Sequence, residues 1–136
     1  MDDLGLVGAL RVQADRLTQP GHLVVTLAAK PLPALPAAVE VAAYRIVQEA
    51  AANVARHAGA NTCRITVRPE AGSLYVEVKD DGRGLPQAME AGVGLRSMRE
   101  RAEELGGRLA LASESGRGTK DAACLTLYAA REPRAG

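Results

Sequence analysis

The sequence predicts an α+β fold, a two-layer sandwich in which a mixed, mostly antiparallel sheet of about five strands carries three helices on one face. Three observations predict it. Residues 37–60 place apolar side chains at helical spacing, and several shorter segments alternate apolar and polar residues as half-buried strands do. The order helix, strand, helix, strand, strand, helix, strand, strand then favours one sheet with its other face exposed to water.

Composition limits the classes of function. A chain of 136 residues can bury one core. Its net charge of +1 and its three tyrosines give no basic patch with interleaved aromatics, so we expect no nucleic-acid binding. No apolar run approaches the ~18 residues of a membrane span, and the acidic start is unlike a secretory signal, so we expect a cytoplasmic domain without membrane contact. Cys63 and Cys124 lack metal-ligand spacing and are expected to be reduced.

The first elements are short. A helix is expected to begin at Asp2 and Asp3 and to reach about residue 19, where Pro20 and Gly21 stop it. One side of this helix carries Val7, Leu10, Ala14 and Leu17. Residues 22–29 read as a strand, and the proline-rich residues 31–36 as a stiff connector. We expect residues 1–20 to be the end of a linker from a preceding region.

The helix predicted over residues 37–60 is amphipathic. Its apolar stripe consists of Val39, Ala43, Ile46, Val47, Ala50 and Val54, and its polar side of Arg45, Gln48, Ala52 and Arg56. Glu49, Asn53 and His57 are spaced i, i+4, i+8 and form a row at the border of the stripe. A polar row in that position can form the floor of a cleft, although by itself it is more typical of an ordinary amphipathic helix.

The second half of the chain predicts two hairpins around a glycine-rich segment. Residues 62–68 and 73–79 alternate and are joined by 69–72, which indicates the first hairpin. The elements expected after it are a helix over 95–105 capped by Gly106 and Gly107, strands over 109–113 and 119–128 joined by a tight turn, and a disordered tail over 131–136.

Three glycine-containing turns, DDGRG at 80–84, GVG at 92–94 and GRGT at 116–119, can bring backbone N–H groups close to a ligand. Asp80 ends a predicted strand, where its carboxylate can accept from an amino group of a flat heterocycle. The amide oxygen of Asn53 suits Mg²⁺, and Glu49 can orient or deprotonate a nucleophile. Each turn alone is weak, because Asp-Gly is a common hairpin dipeptide and none matches a dinucleotide fingerprint, a P-loop or a calcium loop.

Taken together and in this order, the motifs resemble the ATP-binding catalytic domain of a bacterial two-component sensor histidine kinase, which has the Bergerat fold. YRIVQEAAANVARHA resembles that family's asparagine box, DDGRGL its first glycine box and GVGLRSMRERAEELGG its second, while GRGT resembles its final glycine turn. The resemblance covers residues 4–127. It points to the subgroup that partners response regulators with helix-turn-helix output domains, and it makes residues 21–130 the ATP-binding domain.

The resemblance implies a role for each motif. Asn53 would bind the Mg²⁺ that bridges the ATP phosphates, and Glu49 would act as base or polarising group. Asp80 would accept from the adenine amino group, in a pocket shaped by Gly82 and Gly84.

Further contacts are implied around the phosphates. Gly92 and Gly94 would flank a short mobile lid over residues 85–91 and, with Leu95, meet the phosphates. Thr119 would support the adenine pocket, and Arg56 or His57 would touch phosphate.

Two departures from the family pattern matter. The phosphoacceptor histidine of the family lies on a dimerising helix, and neither His22 nor His57 fits that position. The chain is therefore expected to act on a histidine of a separate dimerisation domain, from which a response regulator later takes the phosphoryl group. Lys120 and Asp121 stand where a hydrophobic strand usually begins, which predicts a bulge or a late strand start.

Two alternatives share these motifs. One is a serine/threonine kinase of the anti-sigma-factor type. The other is a nucleotide-holding module without transfer activity, kept for contacts through the apolar side of the first helix. The presence of Glu49 and Asn53 argues against the second alternative.

Overall fold

The computed structural model describes residues 5–58, 60–82, 100, 103–104, 108–114 and 118–126. The elements are α1 (Gly5–Leu17), β1 (Val24–Ala29), α2 (Ala37–Asn53), a π-helical turn (Val54–Ala58), β2 (Thr62–Glu70), β3 (Ser73–Asp80), β4 (Arg108–Glu114) and β5 (Gly118–Thr126). The strands form one sheet in the order β1-β2-β3-β5-β4. β1 is parallel to β2 and the other pairs are antiparallel, which confirms the predicted α+β class and its mixed sheet.

The third predicted helix, over 95–105, lies largely outside the described residues. Within it the structure describes Glu100, Glu103 and Glu104, whose backbone is helical. The predicted tail over 131–136 and the lid over 85–91 also lie outside the described residues.

The core lies between the helices and one face of the sheet. All six apolar residues predicted for the stripe of α2 are buried, with at most 5% of their surface exposed. They pack with the inward side chains of the strands, which include Ile65, Val67, Leu74, Val76, Val78 and Leu125. Alternate strand residues such as Arg64 and Lys79 are exposed on the other face, as the alternation predicts.

The buried side of α1 differs slightly from the predicted one. Leu10 and Ala14 are buried as expected, but Leu6 is buried more fully than Val7. Both positions lie one turn from Leu10, so spacing alone cannot choose between them. Gln13 is also buried, because its side-chain oxygen accepts a hydrogen bond of 3.1 Å from the Tyr44 hydroxyl on α2.

The sequence predicted one α-helix over residues 37–60, but the structure is not α-helical over that whole range. It changes to a π-helical turn at Val54–Ala58. The wider turn ends the i, i+4 spacing after Asn53, so the predicted row of Glu49, Asn53 and His57 does not continue regularly to His57. Such turns frequently occur at functional sites.

The first hairpin is confirmed, with a tighter turn than expected. Glu70 pairs with Ser73, so the loop contains two residues. These are Ala71 and Gly72, whose φ angles are +48° and +82°. Positive φ at both central residues is the requirement of a type I′ turn, which matches the twist of the flanking strands.

The last strand begins earlier and more regularly than expected. β5 begins at Gly118, and its pairing with β3 is continuous from Lys120 opposite Lys79 to Thr126 opposite Ser73. Asp121 pairs with Val78 within that ladder. The prediction of a bulge or a late start near Lys120 and Asp121 was therefore wrong.

Two further observations concern the described part of the chain. No helix in it is long and apolar enough to cross a membrane. Cys63 is buried and Cys124 is half-buried.

Candidate nucleotide-binding site

The end of α2 and the end of β3 lie at the same end of the two-layer structure. After the π-helical turn the chain enters β2 at Thr62, and the second residue of that strand, Cys63, pairs with Asp80, the last residue of β3. α2 also packs against β3. The topology therefore brings Asn53, the last residue of α2, and Asp80 to one end of the helix–sheet interface.

Both residues are buried, which is unusual for their types. Asn53 is 6% exposed and Asp80 is 4% exposed. Buried polar side chains are tolerated when they make hydrogen bonds or hold a ligand. Two such residues at one end of the core identify this end as the candidate site.

Asp80 is held by the loop that follows it. Its Oδ1 accepts a hydrogen bond of 2.7 Å from the backbone N–H of Gly82, which is itself buried. This contact across two residues fixes the direction of the carboxylate at the end of the strand. A carboxylate oxygen accepts hydrogen bonds, so Asp80 suits the amino group of a heterocycle.

The neighbouring Asp81 has a different role, which the sequence analysis missed. Its Oδ1 accepts hydrogen bonds of 2.9 Å from the backbone N–H groups of both Asn61 and Thr62. These bonds, the one from Thr62 first, hold the pKa of Asp81 below its usual value. Asp81 thus ties the end of β3 to the start of β2, directly beside Asp80. Strand alternation separates the two acids by face, and the register of the hairpin gives Asp81 its partners at Asn61 and Thr62.

Asn53 is contacted by the residue three positions later. Its Oδ1 accepts a hydrogen bond of 3.0 Å from Nη2 of Arg56, an exposed residue in the π-helical turn. Arg56 has only donors, so this bond fixes which end of the Asn53 amide is the oxygen. Glu49, one turn before Asn53, is half-buried.

The donor set fits a magnesium ion that is shared with a nucleotide. Magnesium in such sites is usually bound by one or two protein oxygens plus substrate phosphates and water. The Asn53 oxygen accepts a hydrogen bond from the Arg56 guanidinium, and Mg²⁺ would take the place of that donor. No cluster of three or more His, Cys, Asp and Glu side chains that could hold a metal occurs in the described ranges.

The other predicted site residues either lie outside the described residues or belong to neighbouring elements. Gly84, Gly92, Gly94 and Leu95 lie outside the described residues. The backbone of His57 belongs to the π-helical turn. Thr119 lies in β5, where it pairs with Ser113 of β4.

Comparison with known proteins identifies the family. Residues 38–130 match the family described as histidine kinase-, DNA gyrase B-, and HSP90-like ATPases. The chain is 37% identical over 118 residues to the nitrate/nitrite sensor protein NarQ of Escherichia coli (strain K12), covering 84% of this chain and 21% of that protein. It is 39% identical over 84 residues to the sensor histidine kinase LnrJ of Bacillus subtilis (strain 168), covering 62% of this chain and 21% of the relative.

Solved structures agree with this family. The histidine kinase domain of a blue-light activated histidine kinase from Erythrobacter litoralis superimposes with a TM-score of 0.75 at 25% identity, covering 89% of this chain and 59% of that one. The catalytic domain of the histidine kinase ThkA shares the fold, with a TM-score of 0.71 at 15% identity and 90% of each chain covered. The chain spans about a fifth of the length of the two curated relatives described above. It belongs to the family of histidine kinase-, DNA gyrase B-, and HSP90-like ATPases and corresponds to the ATP-binding catalytic domain of a sensor histidine kinase.

Proposed function

We propose that this chain binds Mg·ATP at the end of the helix–sheet interface and transfers the γ-phosphoryl group to a histidine on a separate dimerisation domain. The observation that carries this proposal is the pair of buried polar residues, Asn53 and Asp80, at one end of the core. The name of LnrJ, a sensor histidine kinase that the chain resembles, gives the reaction class.

The adenine end of the site depends on Asp80. Its carboxylate accepts a hydrogen bond from the exocyclic amino group of adenine. The N–H of Gly82 holds the other side of the carboxylate, so the group is oriented before the nucleotide arrives. Glycine at positions 82 and 84 leaves room for the flat ring, and Thr119 supports the same pocket from β5.

The phosphate end depends on the last turns of α2. Asn53 presents its amide oxygen to Mg²⁺, and a bound Mg²⁺ supplies neutralisation of the phosphate charge. Glu49, one turn earlier, orients the acceptor imidazole or takes its proton. Arg56 or His57 contacts phosphate.

The remaining phosphate contacts come from the glycine turn of the second box. Gly92 and Gly94 offer backbone N–H groups to the phosphates beside Leu95. In the transfer, the bond between the γ-phosphorus and the β,γ-bridging oxygen breaks and a nitrogen–phosphorus bond to the acceptor imidazole forms, so that ADP leaves. Catalysis is therefore mostly positioning and charge neutralisation.

The proposal extends to partners and location. The phosphorylated histidine passes its phosphoryl group to an aspartate of a response regulator, in the subgroup whose regulators have helix-turn-helix output domains. These steps take place in the cytoplasm. Residues 1–20 connect the domain to the dimerisation region, residues 21–130 form the ATP-binding domain and residues 131–136 a tail.

A transfer assay tests the proposal. The chain is incubated with ATP labelled at the γ-phosphate, Mg²⁺ and the dimerisation domain of a sensor histidine kinase such as LnrJ. The proposal expects label on the acceptor that is lost in acid and stable in alkali, as a phosphorylated histidine is. Acid-stable label would instead identify a serine/threonine kinase. Nucleotide binding without transfer to any acceptor domain tested would favour the non-catalytic module.

A further inference from the structure

Three exposed cations lie side by side on the sheet face opposite the helices. Arg64 on β2 pairs with Lys79 on β3, and Lys79 pairs with Lys120 on β5. All three side chains are exposed, and together we call them the cationic row. Neighbouring strands are ~4.8 Å apart, so the row is about 10 Å long. The three residues are far apart in sequence, and only the sheet register brings them together.

The cationic row is electrostatically unfavourable for the isolated sheet, because like charges directly opposite each other on neighbouring strands repel. Among the side chains that the structure describes, Glu77 and Asp81 lie two positions before and after Lys79 on this face. Glu77 accepts a hydrogen bond from the Tyr75 hydroxyl, and Asp81 accepts from two backbone N–H groups.

Neither of these carboxylates forms an ion pair with the cationic row. Among the described side chains, the ion pair on this face is Arg68–Glu70, at 3.1 Å. An external anion would therefore relieve a repulsion that the neighbouring side chains described by the structure leave in place.

We propose that the cationic row binds an acidic polypeptide segment of a partner protein. Along β3, Glu77 and Asp81 flank Lys79, so the positive charge forms a strip across the strands with an acid on either side of Lys79. A membrane surface or a nucleic-acid duplex would press further negative charges against these two carboxylates. A short segment with two or three Asp or Glu side chains can align with the strip and avoid them. The partner chemistry follows from this charge complementarity.

The surface is separate from the nucleotide site. The cationic row lies on the open face of the sheet, whereas Asn53 belongs to α2 on the covered face. Lys79 immediately precedes Asp80, whose side chain is buried on the opposite side of the same strand. The two sites can therefore be tested independently.

The binding test uses a hexaglutamate peptide as the probe, titrated into the ¹⁵N-labelled chain at low salt. The expected result is a set of amide shifts confined to β2, β3 and β5 around the cationic row, which weakens at high salt. Lys79→Glu should reduce the affinity at least ~10-fold, the effect of replacing an attractive contact with a repulsive one. The matched control Arg45→Glu changes the net charge equally on the exposed side of α2 and should leave the affinity unchanged.

The same variant gives a second measurement. Lys79→Glu places an acid between Arg64 and Lys120, so it should raise Tm by about 1–3 °C while the affinity for the peptide falls. Equal losses of affinity in Lys79→Glu and Arg45→Glu would overturn the proposal, as would an absence of shifts on these strands. Preferential binding of phosphatidylserine vesicles or of an oligonucleotide would also overturn it, because the ligand would then not be a polypeptide.

Discussion

The side-chain oxygen of Asn53 accepts a hydrogen bond from the guanidinium of Arg56 at 3.0 Å, so the oxygen proposed to bind magnesium already faces a cation. This contact spans the point where α2 changes to the π-helical turn. An ordinary α-helix end would present only backbone carbonyl groups without hydrogen-bond partners at this point. This turn instead places the side-chain oxygen of Asn53 beside the cationic side chain of Arg56.

The Asn53→Ala substitution tests the role of this oxygen. Removing it should abolish the magnesium-dependent part of nucleotide affinity and reduce phosphotransfer at least ~100-fold, because charge neutralisation at the phosphates depends on it. Calorimetric titrations of ATP with and without Mg²⁺ measure the first effect. Gln48→Ala is the matched control, since it removes an exposed amide from the same helix. Equal magnesium dependence in both variants would contradict the proposed role.

The Asp81→Asn substitution tests the tie between β3 and β2. The pKa of Asp81 is lowered in the folded state, chiefly by the Thr62 N–H. Its contribution to stability is therefore fully present above the ordinary value of 3.8 and is lost as pH falls through the lower folded value. The variant should have a lower Tm than the natural chain at pH 7, and the difference should shrink as the pH falls below about 4.

Thermal unfolding followed by circular dichroism across this pH range measures the difference. Asp15→Asn, at an exposed position of α1, is the control. A difference in Tm that stays constant from pH 7 to pH 2 would show that the charge of Asp81 does not contribute.

The hairpin turn offers a test by stabilisation. Ala71 has a φ of +48°, a left-handed conformation that costs a non-glycine residue about 1 kcal/mol. Ala71→Gly relieves this cost, although it also increases the freedom of the unfolded chain, so the free energy of unfolding should rise by about 0.5 kcal/mol. Ala38→Gly, in the first turn of α2, should lower it by about 0.5–1 kcal/mol. Urea denaturation of both variants checks the opposite signs, and destabilisation by Ala71→Gly would contradict the turn geometry.

Features that repeat along one segment were predictable from the sequence. The stripe of α2 from Val39 to Val54 has one period, and both strands of the first hairpin alternate regularly, so each segment specifies its own buried side. Asp80 could be singled out because it ends such a strand two residues before a glycine. Its burial also agrees with the strand alternation, since it lies two residues beyond the buried Val78.

Features that depend on contacts between distant segments were not predictable. The π-helical turn replaces a continuation of α2 that the apolar pattern also allows. Alternation separates the faces of Asp80 and Asp81, but the structural role of Asp81 depends on Asn61 and Thr62, which the hairpin register brings beside it. The register of β5 against β3, which forms the cationic row, has no local signal because alternating strands pair equally well after a shift of two residues.

The central claim is that Asp80 recognises the adenine of a bound nucleotide, and calorimetry of ATP binding to Asp80→Asn tests it most directly. The substitution replaces a carboxylate acceptor by an amide, which can turn its NH₂ donor toward the adenine amino group. Binding should therefore weaken at least ~100-fold. Asp15→Asn, in which an exposed carboxylate is removed, should bind as the natural chain does. An Asp80→Asn variant that is folded and binds ATP with unchanged affinity would contradict the account.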